Sequence, residues 1–314
     1  MDGVHTKTSI IVCTKDRPEH LNRCLSSIRA SDPLFDEILI VDNGSQDKEA
    51  VSLVASEYDA SYMYFPQRGL ARARNFGISK SQGDILIFAD DDFSVKDGWI
   101  ENLLPAYKNP KVGCCAGRMI ALRKDRLSLA YEESMSFDRG NQRREFRQQD
   151  LRLSNLFSPF TMLGQKRLLD KTPLPYAVGY GFFSFRKSIL TRVGLFDPSL
   201  GRGTPGVGGD DVDLYYRILK AGYTIIYEPR AQILHNHRST FESILLDARN
   251  AGISLKKLQT KYAGRDLYMT LMLFGTFFHL IAALLGSKGQ AMLYRMVREE
   301  LLGFLKTGSY SSAI

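Results

Sequence analysis

Three consecutive aspartates, Asp90, Asp91 and Asp92, follow the apolar run Ile85-Leu86-Ile87-Phe88-Ala89. Carboxylates crowded at the end of a buried strand repel one another unless a cation or hydrogen-bond donors neutralise them. A hard divalent ion bound through oxygen is the simplest solution, and Mg2+ in such places keeps waters and shares substrate phosphates. A second acidic group, Gly208-Gly209-Asp210-Asp211-Val212-Asp213-Leu214, opens a stretch with helical periodicity. One carboxylate there can accept the proton of an attacking hydroxyl; Asp210 and Asp213 also suit the plainer task of capping the helix. His235 and His237 follow an apolar run. On extended backbone such i and i+2 residues share a face, and His235 is the stronger candidate for a metal ligand. Arg68, Arg72 and Arg74 begin a helix after Gly69. Arginines at a helix start suit a phosphate or a nucleobase; Arg72 is read as the functional one, Arg68 and Arg74 as a solvated face.

Those residues need elements to position them, and the first 118 residues supply a regular alternation. Strands are predicted over 9–13, 37–41, 62–65 and 84–88, with helices over 20–30, 48–58 and 70–80. That order implies βαβ units and a mostly parallel sheet. Ligands bind such sheets at the carboxyl ends of the strands, where the triplet and the turn Asp42-Asn43-Gly44-Ser45 both fall. A strand over 113–122 leads into the basic stretch 124–171, which carries Arg143, Arg144, Arg147, Arg152, Lys166 and Arg167. It reads as a loop, either solvated or closing over an acceptor. Further elements are predicted as a strand over 179–185, helices over 187–193 and 212–221, and strands over 224–227 and 231–234, with a glycine-rich loop at 201–209.

From residue 241 onward the chain reads as helical. The run 267–285 is apolar for 19 residues apart from Thr270, Thr276 and His279, near the length of about 18–20 residues that spans a bilayer. Being apolar on every face, it must be buried in protein or lipid. The following segment, 291–306, is amphipathic. Attachment to a membrane surface is the favoured reading, ahead of a protein-buried or oligomer-forming hairpin and of a true span.

Bulk properties set wide limits. With 314 residues, 44% of them hydrophobic and 24% charged, the chain has enough apolar material for a large core and is not globally disordered. The formal net charge of +8 calls for an anionic partner, though no aromatic–basic platform favours nucleic acid. Cys13, Cys24, Cys114 and Cys115 form no CxxC pair, which reads as a reducing compartment without a zinc site. Residues 1–10 hold no signal-like apolar stretch, so a cytoplasmic location, peripheral at the membrane's cytoplasmic face, is expected.

Taken in order, the pieces resemble the inverting family 2 glycosyltransferases of the GT-A fold. The resemblance rests on Ser9-Ile10-Ile11-Val12-Cys13-Thr14-Lys15-Asp16-Arg17, Val41-Asp42-Asn43-Gly44-Ser45, Gly69-Leu70-Ala71-Arg72-Ala73-Arg74-Asn75 and the aspartate triplet. It continues through Val193-Gly194-Leu195-Phe196-Asp197 and the Asp210–Asp213 group to Tyr227-Glu228-Pro229 and His235, covering roughly residues 8–240. It implies a Rossmann-like α/β domain with a helical extension: residues 1–118 binding a nucleotide-diphospho-sugar, 119–240 binding the acceptor and performing catalysis, and 241–314 following as helices. By position, Thr14 and Asp16 would line the nucleotide pocket, Asp42 would accept from the base, and Arg72 would lie near the base or diphosphate. Asp90 and Asp91 would face ribose or sugar; Asp92, with Asp90 and His235, would hold Mn2+ or Mg2+. Asp211 corresponds to the catalytic base, and Asp210 stands where relatives carry glutamate. The resemblance favours a UDP-sugar donor, while the basic 124–171 stretch and the apolar C-terminal helices favour an anionic or lipid-linked acceptor, a glycan being the other expectation.

Other chemistries fit less well. A calcium loop places Asp90, Asp92, Ser94 and Glu101 suitably, but Val95 occupies the position that needs glycine. A phosphatase of the haloacid-dehalogenase type would put its nucleophile on an early strand and its later acids after one. A non-catalytic nucleotide-sugar-binding scaffold would have no use for Asp211.

Overall fold

The computed structural model describes residues 6–31, 35–135, 137–151, 175–203, 208–287 and 291–306. Its first half alternates β1 (Thr8–Thr14), α1 (Pro18–Ser31), β2 (Glu37–Asp42), α2 (Lys48–Glu57), β3 (Ser61–Tyr64), α3 (Leu70–Lys80) and β4 (Ile85–Asp90). Then come β5 (Phe93–Val95), α4 (Trp99–Leu103), β6 (Val112–Ala121), α5 (Arg126–Met135), β7 (Arg144–Phe146), β8 (Phe183–Arg186), α6 (Lys187–Val193), α7 (Asp210–Lys220) and β9 (Thr224–His235). The helices α8 (Phe241–Tyr262), α9 (Leu267–Gly286) and α10 (Ala291–Leu305) close the chain.

Among the described residues nine strands form one sheet. The order β3-β2-β1-β4 is parallel throughout, as the alternation predicts. Strand β8 then pairs antiparallel with both β4 and β6. Strand β9 runs parallel to β6, and its outer edge takes β5 and β7 in antiparallel pairing. The sheet is therefore mixed beyond β4, and the two halves read from sequence share one hydrogen-bonded layer. Central strands are buried on both faces, which is why they read as continuous apolar runs. Ile10, Val12, Ile38, Ile40, Ile85 and Ile87 pack on one side, beneath α1 and Trp99. The alternate residues Ile11, Leu39, Val41, Leu86 and Phe88 pack on the other, beneath α3 and α7.

Three local expectations change. Residues 224–227 and 231–234 belong to one strand, because its pairing with β6 jumps from Gly117↔Glu228 to Arg118↔Gln232. The residues left out of that ladder include Pro229, which has no N–H to contribute. Residues 179–182 are not strand, since Gly179 and Gly181 take positive φ. The basic stretch contains α5 and β7, with Arg143 and Arg147 paired to Glu145; Arg152, Lys166 and Arg167 lie outside the described residues, as does 204–207 of the glycine-rich loop.

The C-terminal helices pack on the sheet domain. Leu255, Leu258, Met269 and Phe304 join Tyr176, Val212 and Tyr216 in one apolar cluster. Helices α8 and α10 cross with almost no side chain between them. A β-carbon on Gly252 would sit 1.8 Å from the Glu300 carbonyl oxygen, and one on Gly303 would sit 1.9 Å from that of Arg249. Helix α9 leaves Leu267, Phe274, Phe278 and Leu285 between 58% and 65% exposed; at 100° per residue these four lie on one stripe. Gly303→Ala in an ordinary helix would stabilise slightly. Here the crossing must open, so the expected result is a loss of about 1–3 kcal/mol, measured as a lower denaturant midpoint.

Candidate active site

The ends of β1, β4 and β9, the N-terminus of α7 and the inner face of α8 surround a cavity of about 500 Å3. Thr14, Asp90, Asp91, Asp92, Asp210, Asp211 and His235 all line it. The sequence separates these residues by more than 200 positions; the parallel strand ends and α7 bring them to one place.

Arg74 joins the two acidic groups. Its guanidinium donates to Asp210 Oδ2 at 2.8 Å and to Asp90 Oδ1 at 3.0 Å, and it lies over the rings of Phe183 and Phe196 at 5.1 and 5.5 Å. At 4% exposure it is buried, while Arg72 is exposed and donates to the Arg68 carbonyl at 3.4 Å. Arg74 is therefore not on a solvated face as the sequence suggests, and Arg72 stands outside the cavity lining. The helix phase explains it: Gly77 presses on Ile11 and Val41, and Ala71, Arg74 and Ile78 share that inward face.

Each member of the triplet has different partners. Asp91 accepts from the Thr14 hydroxyl at 2.8 Å and from Arg17 at 3.2 Å. Burial and then the charge of Asp92 nevertheless push its carboxyl up to about 7. For Asp92, burial works against the charge, yet His235 and then Arg17 hold its carboxyl well below the usual range. Asp90 is raised by burial, with Arg74 opposing.

Asp211 accepts the backbone N–H of Val212 at 2.8 Å and that of Gly181 at 3.4 Å. Burial, then the charge of Asp210, push its carboxyl up to about 7 against the pull of Arg74. Asp213 belongs to the framework: it is fully buried and bonded to Lys261, Tyr262 and Arg217, fixing α7 to the end of α8.

Asp16 and Asp42 stand outside the cavity lining. Asp16, at φ +54°, accepts from the Gln46 N–H at 2.7 Å and latches the β1 turn to the β2 turn. Asp42 has no exposure, and its two oxygens accept from the Ser45 N–H and the Tyr62 hydroxyl, both at 2.8 Å. This differs from its expected place beside a base: the carboxylate holds the turn together.

Helix α8 brings a group absent from the sequence reading. Asp247 accepts from the Tyr131 hydroxyl at 2.6 Å and from Arg238 at 2.8 Å, with Arg202 at 3.5 Å. Two arginines on one carboxylate leave net positive charge on this side of the cavity. The signal available was Asp247 on the apolar face of a helical run.

Among the described residues no three His, Cys, Asp or Glu side chains converge on a common point. Two do approach each other. Asp92 Oδ1 is buried without a hydrogen-bond partner and lies 3.4 Å from His235 Nε2. An unpartnered carboxylate oxygen beside an imidazole nitrogen fits a Mn2+ or Mg2+ ion whose other positions are filled by phosphate oxygens and water. Asp90, also expected at the metal, is turned to Arg74 instead.

The profile "Glycosyl transferase family 2" matches residues 9–172, more than half of the chain. The chain belongs to this family. A "Pre-mycofactocin glycosyltransferase" of Mycobacterium tuberculosis is 26% identical over 241 residues, covering 75% of this chain and 44% of the relative; the chain thus spans less than half of that protein. The "Mannosyltransferase PcManGT from Pyrobaculum calidifontis in complex with GDP-Man and Mn2+" superposes with a TM-score of 0.59 at 16% identity, over 96% of this chain and 88% of that one. The structure of "GalNAc-T7 with UDP, GalNAc and Mn2+" gives 0.52 at 18% identity, over 84% and 51%. The overall α/β arrangement is that of the GT-A fold.

Two outcomes follow from the charges. Arg74→Met leaves the buried Asp210 and the half-buried Asp90 without their cation, and a loss of about 3 kcal/mol is expected in denaturant unfolding. Asp211, near 7 when folded and near 4 when unfolded, binds more protons in the folded state between those values, so stability falls as pH rises through that window. Asp211→Asn removes the penalty. Its unfolding free energy should exceed the parent's at pH 8, by on the order of 4 kcal/mol at about 1.4 kcal/mol per pKa unit, and match it at pH 4.

Proposed function

We propose that the chain is a metal-dependent inverting glycosyltransferase, moving a sugar from a nucleotide-diphospho-sugar to a hydroxyl of a glycan or lipid-linked acceptor. What carries this reading is that Asp211, a buried carboxyl near neutral pKa, and the Asp92–His235 pair line the same cavity. A base titrating near working pH suits proton abstraction.

Asp92 and His235 would hold the cation. Bound there, Mn2+ or Mg2+ supplies charge neutralisation for a diphosphate. Asp211 takes the proton of the acceptor hydroxyl as its oxygen bonds to the anomeric carbon. The bond from that carbon to the diphosphate oxygen breaks, and the nucleoside diphosphate leaves with the electron pair, inverting the configuration. Arg74 holds Asp210 and Asp90 in place, and the Gly181 N–H orients Asp211. Thr14 and Asp91 face the donor side. Arg202 and Arg238 give the opposite wall a preference for an anionic acceptor group. The named neighbours bind UDP in one case and GDP-mannose in the other, so a UDP-sugar remains the favoured donor only through the resemblance.

The apolar stripe of α9 would rest on a lipid surface. Its neighbour α10 exposes Arg295 and Arg298 together with Leu302 and Leu305, a face suited to anionic headgroups over acyl chains. Such attachment would bring the acceptor wall, built by α8, close to the bilayer.

A thermal-shift panel of nucleotide sugars, with and without Mn2+, should give stabilisation by one donor that requires the ion. Asp211→Asn should keep that shift while transfer to acceptor falls by several orders of magnitude; substantial residual transfer would remove Asp211 as the base. In sedimentation with vesicles of phosphatidylcholine and phosphatidylglycerol, the chain should pellet and Phe274→Glu/Phe278→Glu should not. A chain that stays in the supernatant as a dimer would instead put a second copy on the stripe.

A further inference from the structure

The cavity leaves two buried polar groups without a part, Glu132 at 6% and His237 at 2% exposure, and neither lines it. His237 Nδ1 lies 2.7 Å from His235 Nδ1; its Nε2 is buried without an aligned hydrogen bond among the described residues and has the Glu132 carboxylate as its charged neighbour, Oε2 at 3.5 Å. Glu132 Oε2 also accepts the backbone N–H of Ala121, the residue of β6 that pairs with His235. Aromatic rings clamp both imidazoles. Phe137 stacks on His237 at 5.0 Å, Tyr131 meets the same ring edge-on at 5.5 Å, and Phe93 meets His235 edge-on at 5.3 Å.

Of two ring nitrogens 2.7 Å apart, one donates and the other accepts. Glu132, held as a carboxylate with the Ala121 N–H on Oε2, can only accept, so the His237 nitrogen that faces it, Nε2, is the one that carries hydrogen. His237 Nδ1 is then the acceptor and His235 Nδ1 the donor. When a cation takes the place of the proton that Asp92 otherwise draws to His235, His235 Nε2 then offers its lone pair beside Asp92 Oδ1, an oxygen with no hydrogen-bond partner among the described residues. Backbone bonds hold the arrangement still: Phe93 pairs with His235, and the Asn236 N–H reaches the Asp92 carbonyl at 3.1 Å.

We infer that Glu132 and His237 form a positioning relay that locks His235 in the tautomer with hydrogen on Nδ1, presenting Nε2 to the divalent cation. The inference rests on the metal-dependent reading above. Neither residue touches the ion; both act through His235, as hydrogen-bonded partners of metal-bound imidazoles do.

The test is binding of Mn2+ alone to the full chain, read from the electron paramagnetic resonance of the free ion. His237→Phe keeps a ring against Phe137 but removes the acceptor, and Mn2+ affinity should fall by about 10–100-fold. His237→Asn restores an acceptor near the lost Nδ1 and should bring the affinity back close to the parent's, with both variants unfolding at similar denaturant concentrations. Glu132→Gln, which keeps an oxygen for Ala121, should weaken Mn2+ binding even if His237→Phe does not fold. Parental affinity in His237→Phe or in Glu132→Gln would overturn the relay and leave the transferase reading standing, as would equal losses in His237→Asn and His237→Phe. A parent that binds no Mn2+ would overturn the relay together with the metal-dependent reading.

Discussion

The structure depends on keeping like charges together in a dry place. Asp90, Asp91, Asp210 and Asp211 meet at one cavity, and without compensation their mutual repulsion would oppose folding. Arg74 answers it from a helix, reaching one carboxylate in each acidic group. Its position is then a demand on much of the domain. Gly77 lets α3 settle onto Ile11 and Val41, and Asn75 exchanges hydrogen bonds with the Phe196 backbone at 2.8 and 3.0 Å. Two of the four are pushed up to about 7: Asp91 by burial and the charge of Asp92, and Asp211, which has no direct arginine contact among the described residues, by burial and the charge of Asp210. Distinct environments for adjacent acids are how a fold separates a holding carboxylate from a titrating one.

Much of this was legible in the sequence wherever a signal is local. Strand ends announce themselves as apolar runs stopped by polar residues, so the triplet, the Asp42 turn and His235 could be placed at the sheet's edge before any coordinates. The alternation of elements in the first 118 residues likewise became parallel strands. Arg74 was misplaced because two residues along a helix change the face entirely, and the phase was carried by Ala71 and Gly77, small residues that mark a close approach. That mark was present and went unread beside three arginines.

Other features had no local signal. Helix α5 was hidden by the basic residues around it, although Tyr131 and Glu132 on it are buried. The role of α8 as a cavity wall depends on packing against residues more than a hundred positions earlier, and periodicity says only that a helix has an inner face. Asp42 shows the reverse limit: a turn aspartate aimed at a ligand and one aimed at its own turn look identical in sequence.

The glycine crossing of α8 and α10 has a bearing on redesign. With carbonyl groups filling the space where side chains would ordinarily cushion two helices, α8 has little room to roll or slide against α10. Asn250, Ser254 and Leu258 project from that confined rod into the cavity. They therefore behave as interchangeable teeth on a fixed rack: exchanging them would recut the shape of the chamber, while the rod that carries them stays in register.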